Sequence, residues 1–219
     1  MDRCWTGGRT QRIGFVLSSN IAYAETLFSR APPLEGGSVG GYQSNGPDHI
    51  PFSGSTQQVA EAFSLTIDAT LEQVTWYGIY FFAAGPTAPI VPVAPATFII
   101  RIFDDSGGLP GTKVFETSVS VLGTDTNLAT TQGNPILEFT TNVNGPLLLA
   151  STAYYLSVLE NDSGTDDEIW VWSWFSSDAT GGAIRVAENS VWQGLGRTMA
   201  FILSGVETQL SILIDGFED

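Results

Sequence analysis

The stretch from Val59 to Asp68, VAEAFSLTID, decides the fold of this chain. Phe63, Leu65 and Ile67 alternate with Ser64, Thr66 and Asp68, the period of two that a strand with one buried face requires. Similar short runs follow at Val74–Phe82, Thr97–Phe103, Lys113–Val121, Ile136–Thr141, Ala153–Leu159, Glu168–Phe175, Ala183–Ala187 and Met199–Val206, all rich in β-branched or aromatic residues. Turn-forming clusters separate them: Asp105-Ser106-Gly107-Gly108, Asn144-Gly145-Pro146, Asp162-Ser163-Gly164 and Thr180-Gly181-Gly182. No apolar pattern of helical period and length lies between. The expected fold is all-β: a two-sheet antiparallel sandwich of the jelly-roll kind.

Outside that body the pattern changes. Residues 29–56 contain Pro32-Pro33, Gly36-Gly37, Gly40-Gly41, Gly46-Pro47 and Gly54, breakers dense enough to predict an arm and linker over residues 1–56. The sandwich is expected over 57–206 and a C-terminal strand and tail over 207–219. Between two strands, Pro86, Pro89, Pro92 and Pro95 recur at every third residue, which fits an extended polyproline II connection. Both ends hold strand-like alternation of their own, Ile13, Phe15 and Leu17 at one and Leu210, Ile212 and Ile214 at the other. Arginines before Ile13, followed by Ala22-Tyr23-Ala24, have the order of a signal peptide, although Ser18, Ser19 and Asn20 interrupt its apolar part.

Composition narrows the function classes. The 219 residues carry 8 Lys and Arg against 23 Asp and Glu, for a formal charge of −15, which repels a phosphate backbone and argues against nucleic acid as a partner. The charge is uneven: residues 1–30 hold Arg3, Arg9, Arg12 and Arg30 against Asp2 and Glu25, so the arm is mildly basic and the body strongly acidic. Such an arm is attracted to the body of another copy, which points to self-association weakened by salt. No apolar run is long enough to span a bilayer as a helix. Cys4 is the only cysteine, which excludes an intrachain disulfide. Abundant Thr, Ser, Gly and Asn with a single lysine, Lys113, suit an extracellular or cell-surface protein.

Reactive constellations are scarce. His49 is the sole histidine and lies with Cys4 in the arm, which supplies neither a hydrolytic triad nor a zinc site. Asp104 with Asp105, and Asp166 with Asp167 and Glu168, are paired carboxylates, but acidic turns account for them without glycoside chemistry. The expectation is therefore a protein without catalytic residues and without a required cofactor. Calcium is the metal that the acidic loop best suits, with Asp162, Asp166 and Asp167 as weak ligands lacking EF-hand spacing. Trp170, Trp172 and Trp174 fall at i, i+2 and i+4 on one face of a strand and form either a core row, a platform for stacking sugars or an intersubunit contact. The opposite face, with Ile169, Val171 and Phe175, is also apolar and favours a strand covered on both sides. Asn161-Asp162-Ser163 matches an N-glycosylation acceptor, and the threonines of 124–131 suit O-linked sugars.

The run from Phe98 to Gly111, FIIRIFDDSGGLPG, taken with Tyr154-Tyr155-Leu156-Ser157, Trp170-Val171-Trp172-Ser173 and Met199-Ala200-Phe201, resembles the β-sandwich modules of bacterial exported surface proteins of the PEP-CTERM-associated type. The resemblance covers residues 59–206 and implies a sandwich fold and an extracellular setting. Two functions follow as expectations. One is a structural subunit of a surface fibre, a homopolymer built by strand addition through a terminal segment, with Ile13, Phe15 and Leu17 or Leu210, Ile212 and Ile214 as the added strand. The other is a carbohydrate-binding module that uses the tryptophan row, with glycans as its partner.

Overall fold

The structure is a computed structural model, and it describes residues 24–30, 40–46, 57–82, 92–130, 133–161, 168–175 and 181–208. Among these the chain forms β1 (Glu25–Arg30), β2 (Gly40–Gln43), β3 (Gln58–Ser64), β4 (Ala69–Phe82), β5 (Ala96–Asp105), β6 (Pro110–Val121), β7 (Thr124–Ala129) and β8 (Pro135–Asn142). It continues with β9 (Leu147–Leu148), β10 (Ala153–Glu160), β11 (Glu168–Phe175), β12 (Gly182–Arg185), β13 (Gln193–Gly194), β14 (Thr198–Met199) and β15 (Phe201–Glu207). No helix occurs among the described residues.

Two antiparallel sheets pack face to face, which makes the protein an all-β sandwich. The six-stranded sheet has the order β13-β12-β3-β10-β5-β6. In the other, β4 is the longest strand and pairs with β8 and β9 along one side and with β15 and β11 along the other. β7 continues that sheet beyond β8, while β1 and β2 line β15 and β11. β1 packs over β3, through Phe28 against Phe63, and β6 packs over β8, so β1 and β6 lie at opposite lateral sides of the sandwich. Successive strands cross repeatedly between the sheets, and the core therefore joins residues far apart in sequence.

That core is aromatic. Trp76 stacks on Phe139 at 5.6 Å between ring centroids and meets Phe98 edge-on at 5.1 Å, and Phe28 stacks on Phe201 at 5.0 Å. Leu71, Ile100, Ile102, Leu137, Leu156 and Val158 fill the remaining space. Offset and edge-on ring pairs add to the burial of apolar area, the dominant favourable contribution in such a core. The outer faces are partly covered too, with Phe103, Tyr155 and Trp192 clustered on one sheet and Tyr77, Ile79 and Ile136 on the other.

Three local expectations change in the structure. The strand begun at Val59 ends at Ser64, and Ile67 falls in a bend before β4, so the alternation through Asp68 runs past the end of the strand. The strand expected over Ala183–Ala187 stops at Arg185, because Ala187 to Ser190 closes a turn through a Ser190 N–H to Ala187 carbonyl bond of 3.0 Å. The sandwich also does not begin at residue 57. Residues 25–30 and 40–43, read from sequence as part of an arm, are strands of the larger sheet, and Gly40 and Gly41 pair with Trp174 and Ser173 despite their breaker character.

Glycine is required where the backbone turns or nearly touches a neighbour. Gly107 and Gly108 have φ of 69° and 85° and close the β5–β6 hairpin, where Asp105 Oδ1 accepts from the Gly108 N–H at 3.0 Å. Gly205 sits at the register shift between β15 and β4, and a Cβ there would collide with the Thr70 carbonyl oxygen. Gly205→Ala is therefore expected to lower stability by about 1–3 kcal/mol, read as a fall in the urea midpoint at unchanged slope. An unchanged midpoint would show that this contact relaxes freely.

Candidate functional site

The first site to test is the tryptophan row. Trp172 has 0% exposure, packs into the core 6.2 Å from Phe201 and donates its indole N–H to the Ala200 carbonyl at 3.0 Å. This corrects the sugar-platform reading at its central residue, since a ring closed in between two sheets offers no face to a ligand. Trp170 and Trp174 belong to the same strand, where their backbones lie opposite Tyr80 of β4 and opposite Gly40 and Met199. Trp76 and Trp192 are buried as well.

The other predicted positions divide sharply. Asn161 is half-buried at the end of β10; its N–H donates to the Thr97 carbonyl at 2.8 Å and its amide lies against Gly46. The calcium candidates Asp162, Asp166 and Asp167 lie outside the described residues, as do the strand candidates Ile13, Phe15, Leu17, Leu210, Ile212 and Ile214, and also Cys4 and His49. Among the described residues no group of three or more His, Cys, Asp or Glu is placed to hold a metal, and no helix is long and apolar enough to cross a membrane.

Sequence reading passed over the most unusual group, Glu61. Its side chain is fully buried between the sheets, on the face of β3 that also presents Val59 and Phe63 to the core. Arg30, reaching in from β1, donates to Oε1, and the Met199 N–H donates to Oε2 at 3.0 Å. Gly181 and Gly182 back the carboxylate: a Cβ at Gly181 would strike Glu61 Oε1, and one at Gly182 would collide with the Arg197 carbonyl oxygen beside it. Burial pushes its pKa up to about 7, against the opposing pull of the Arg30 charge and the Met199 N–H. The sequence signal was Glu61 itself, an acid in phase with Val59, Phe63 and Leu65.

A second polar cluster ties residues 185–192 to the outer face of the six-stranded sheet. Arg101, almost wholly buried, donates to Glu116 at 2.6 Å and to Glu188 at 2.8 Å, and Arg185 donates to Gln58 at 2.7 Å. Partial burial raises the pKa of both acids, but hydrogen bonds from Lys113 and Arg101 to Glu116, and from Arg101 and Gln58 to Glu188, bring each below the usual carboxylate range. Trp192 lies over the Arg185 guanidinium at 4.6 Å and meets Phe103 edge-on. Every member is occupied in holding the fold.

At the end of the sandwich where β10 finishes, residues 44–46 fasten the sheets together. Ser44 Oγ donates to the Val158 carbonyl, Glu160 N–H to the Ser44 carbonyl, and Tyr80 Oη to Glu160 at 2.9 Å. Asn45 is fully buried there; its backbone N–H donates to the Gln57 carbonyl at 2.7 Å, while neither atom of its side-chain amide is hydrogen-bonded among the described residues.

The remaining feature is an edge. β6 pairs with β5 along one side, and among the described residues nothing pairs with its other side. Its inward residues Phe115, Val119 and Val121 touch the core yet stay only partly buried. No protein-family model and no curated protein matches the chain.

Proposed function

We propose that this protein is a non-enzymatic structural subunit of an extracellular or cell-surface fibre that assembles with copies of itself by strand addition at a sheet edge. The carrying observation is the twelve-residue strand β6, one side of which pairs with no other strand among the described residues. Such an edge is a template for another strand, with main-chain bonds giving affinity and alternate side chains giving register. The charged groups with described partners support the same reading: Glu61, Arg101, Glu116, Arg185 and Glu188 all hold strands or loops together. The acidic body with its basic N-terminal segment adds attraction between copies. Sedimentation velocity on the purified full chain tests this. The expected result is a distribution that shifts to larger species as concentration rises and back as salt is added; a single monomer boundary at every concentration and salt would overturn it.

A further inference from the structure

We infer that β6 is the acceptor edge for residues 13–17 of a second copy, and that this contact propagates in one direction because the donor segment and the acceptor edge are different parts of each copy. The inference rests on the self-assembly reading above and adds to it which edge receives, which segment donates and what polarity results.

The edges of the two sheets are not alike. β13, at the far side of the six-stranded sheet from β6, has two residues. β7 is interrupted by a register shift between Asp125 and Ala129, with Asn127 in the left-handed region at φ 61°. β1 carries a register shift between Thr26 and Phe28 and charged residues at both ends, and β2 has four residues. Short, bulged or charged edges resist pairing with another chain. β6 has a bulge at its start, but from Phe115 to Val121 its register with β5 runs unbroken, from Ile102 to Ala96. Over Thr117–Val121 it contains neither charge nor proline. Glu116, just before, is engaged by Arg101 and Lys113.

The choice of donor follows from chemistry and position. An added strand must set apolar side chains over the partly exposed Phe115 and Val119 on the inward face, and Ile13, Phe15 and Leu17 alternate in that way. The neighbouring Arg9 and Arg12 are attracted to an acidic body, whereas residues 209–219 also alternate but bring Asp215, Glu218 and Asp219 without a base. Residues 13–17 precede β1, which packs over β3 at the side opposite β6. Six residues, 18–23, connect them to Ala24 and span at most about 20 Å. A segment N-terminal to β1 that pairs with β6 of the next copy makes a heterologous contact, which repeats from copy to copy.

Hydrogen exchange on the full chain tests this across the concentration range of assembly, in the unaltered protein, in Phe15→Lys and in Ile212→Lys. Both substitutions lie outside the described sandwich. The expected result is slowing of amide exchange over residues 114–121 on the order of tenfold or more as copies assemble, lost in Phe15→Lys and kept in Ile212→Lys. Protection of 114–121 that survives Phe15→Lys, or disappears in Ile212→Lys instead, overturns the donor assignment. Filaments without any protection there overturn the acceptor assignment and leave self-assembly standing. No concentration-dependent assembly at all overturns both.

Discussion

Trp172→Ala is expected to cost about 3–5 kcal/mol of folding stability, the range for deleting a large buried aromatic side chain. The ring is closed off from water between the sheets, and its loss would leave a cavity beside Phe201 and an Ala200 carbonyl without its indole donor. Trp172→Phe keeps part of the volume but not the hydrogen bond and is expected to fall between alanine and the unaltered protein. Equilibrium denaturation measures both. An exposed tryptophan on a ligand platform would cost less than about 0.5 kcal/mol when truncated, so a small effect would return this residue to the surface.

Stability is expected to fall by about 3 kcal/mol as pH rises from 4.5 to above 7, through the titration of Glu61. Its folded pKa, near 7, lies above the ordinary value of 4.5 because the carboxyl is buried. Below 4.5 the group is protonated in folded and unfolded chains alike. Between 4.5 and 7 the folded chain keeps a proton that the unfolded chain has released, so each rise in pH favours unfolding; above 7 the loss levels off. Glu116 and Glu188, whose pKa values are lowered, act in the opposite sense and below this window, so that their contribution disappears on acidification. Glu61→Gln should flatten the slope between 4.5 and 7, and Arg30→Met, by removing the main charge that favours the ionised form, should move the upper end of the window to higher pH. Melting curves across this range measure the effect, and a slope that Glu61→Gln leaves unchanged would place the titration elsewhere.

The sequence made the strands legible because a one-sided apolar face imposes a period of two, as at Phe63 and Leu65. It also made Trp172 legible as a core residue, through the apolar character of both faces of its strand. β2 escaped because Gly40 and Gly41 carry no side-chain pattern, and the pairing of β2 with β11 and of β1 with β15 is made with strands more than 120 residues away in sequence. Glu61 stood in phase with its apolar neighbours, but the partners that make it tolerable, Arg30 and the Met199 N–H, come from remote strands that periodicity does not locate. For the same reason β6 reads as one more strand: Ser118 and Ser120 mark an exposed face, and whether a strand lies at an edge depends on pairing order. The connectivity that places β6 outermost and β1 on the opposite flank is a property of the folded sheets alone.

Images of the full-length protein in negative stain, taken at low salt and high concentration, put self-assembly to its most direct trial. Filaments of regular subunit repeat, one sandwich per repeat, are the predicted outcome. A field of separate particles of about 23 kDa size under those conditions would contradict it.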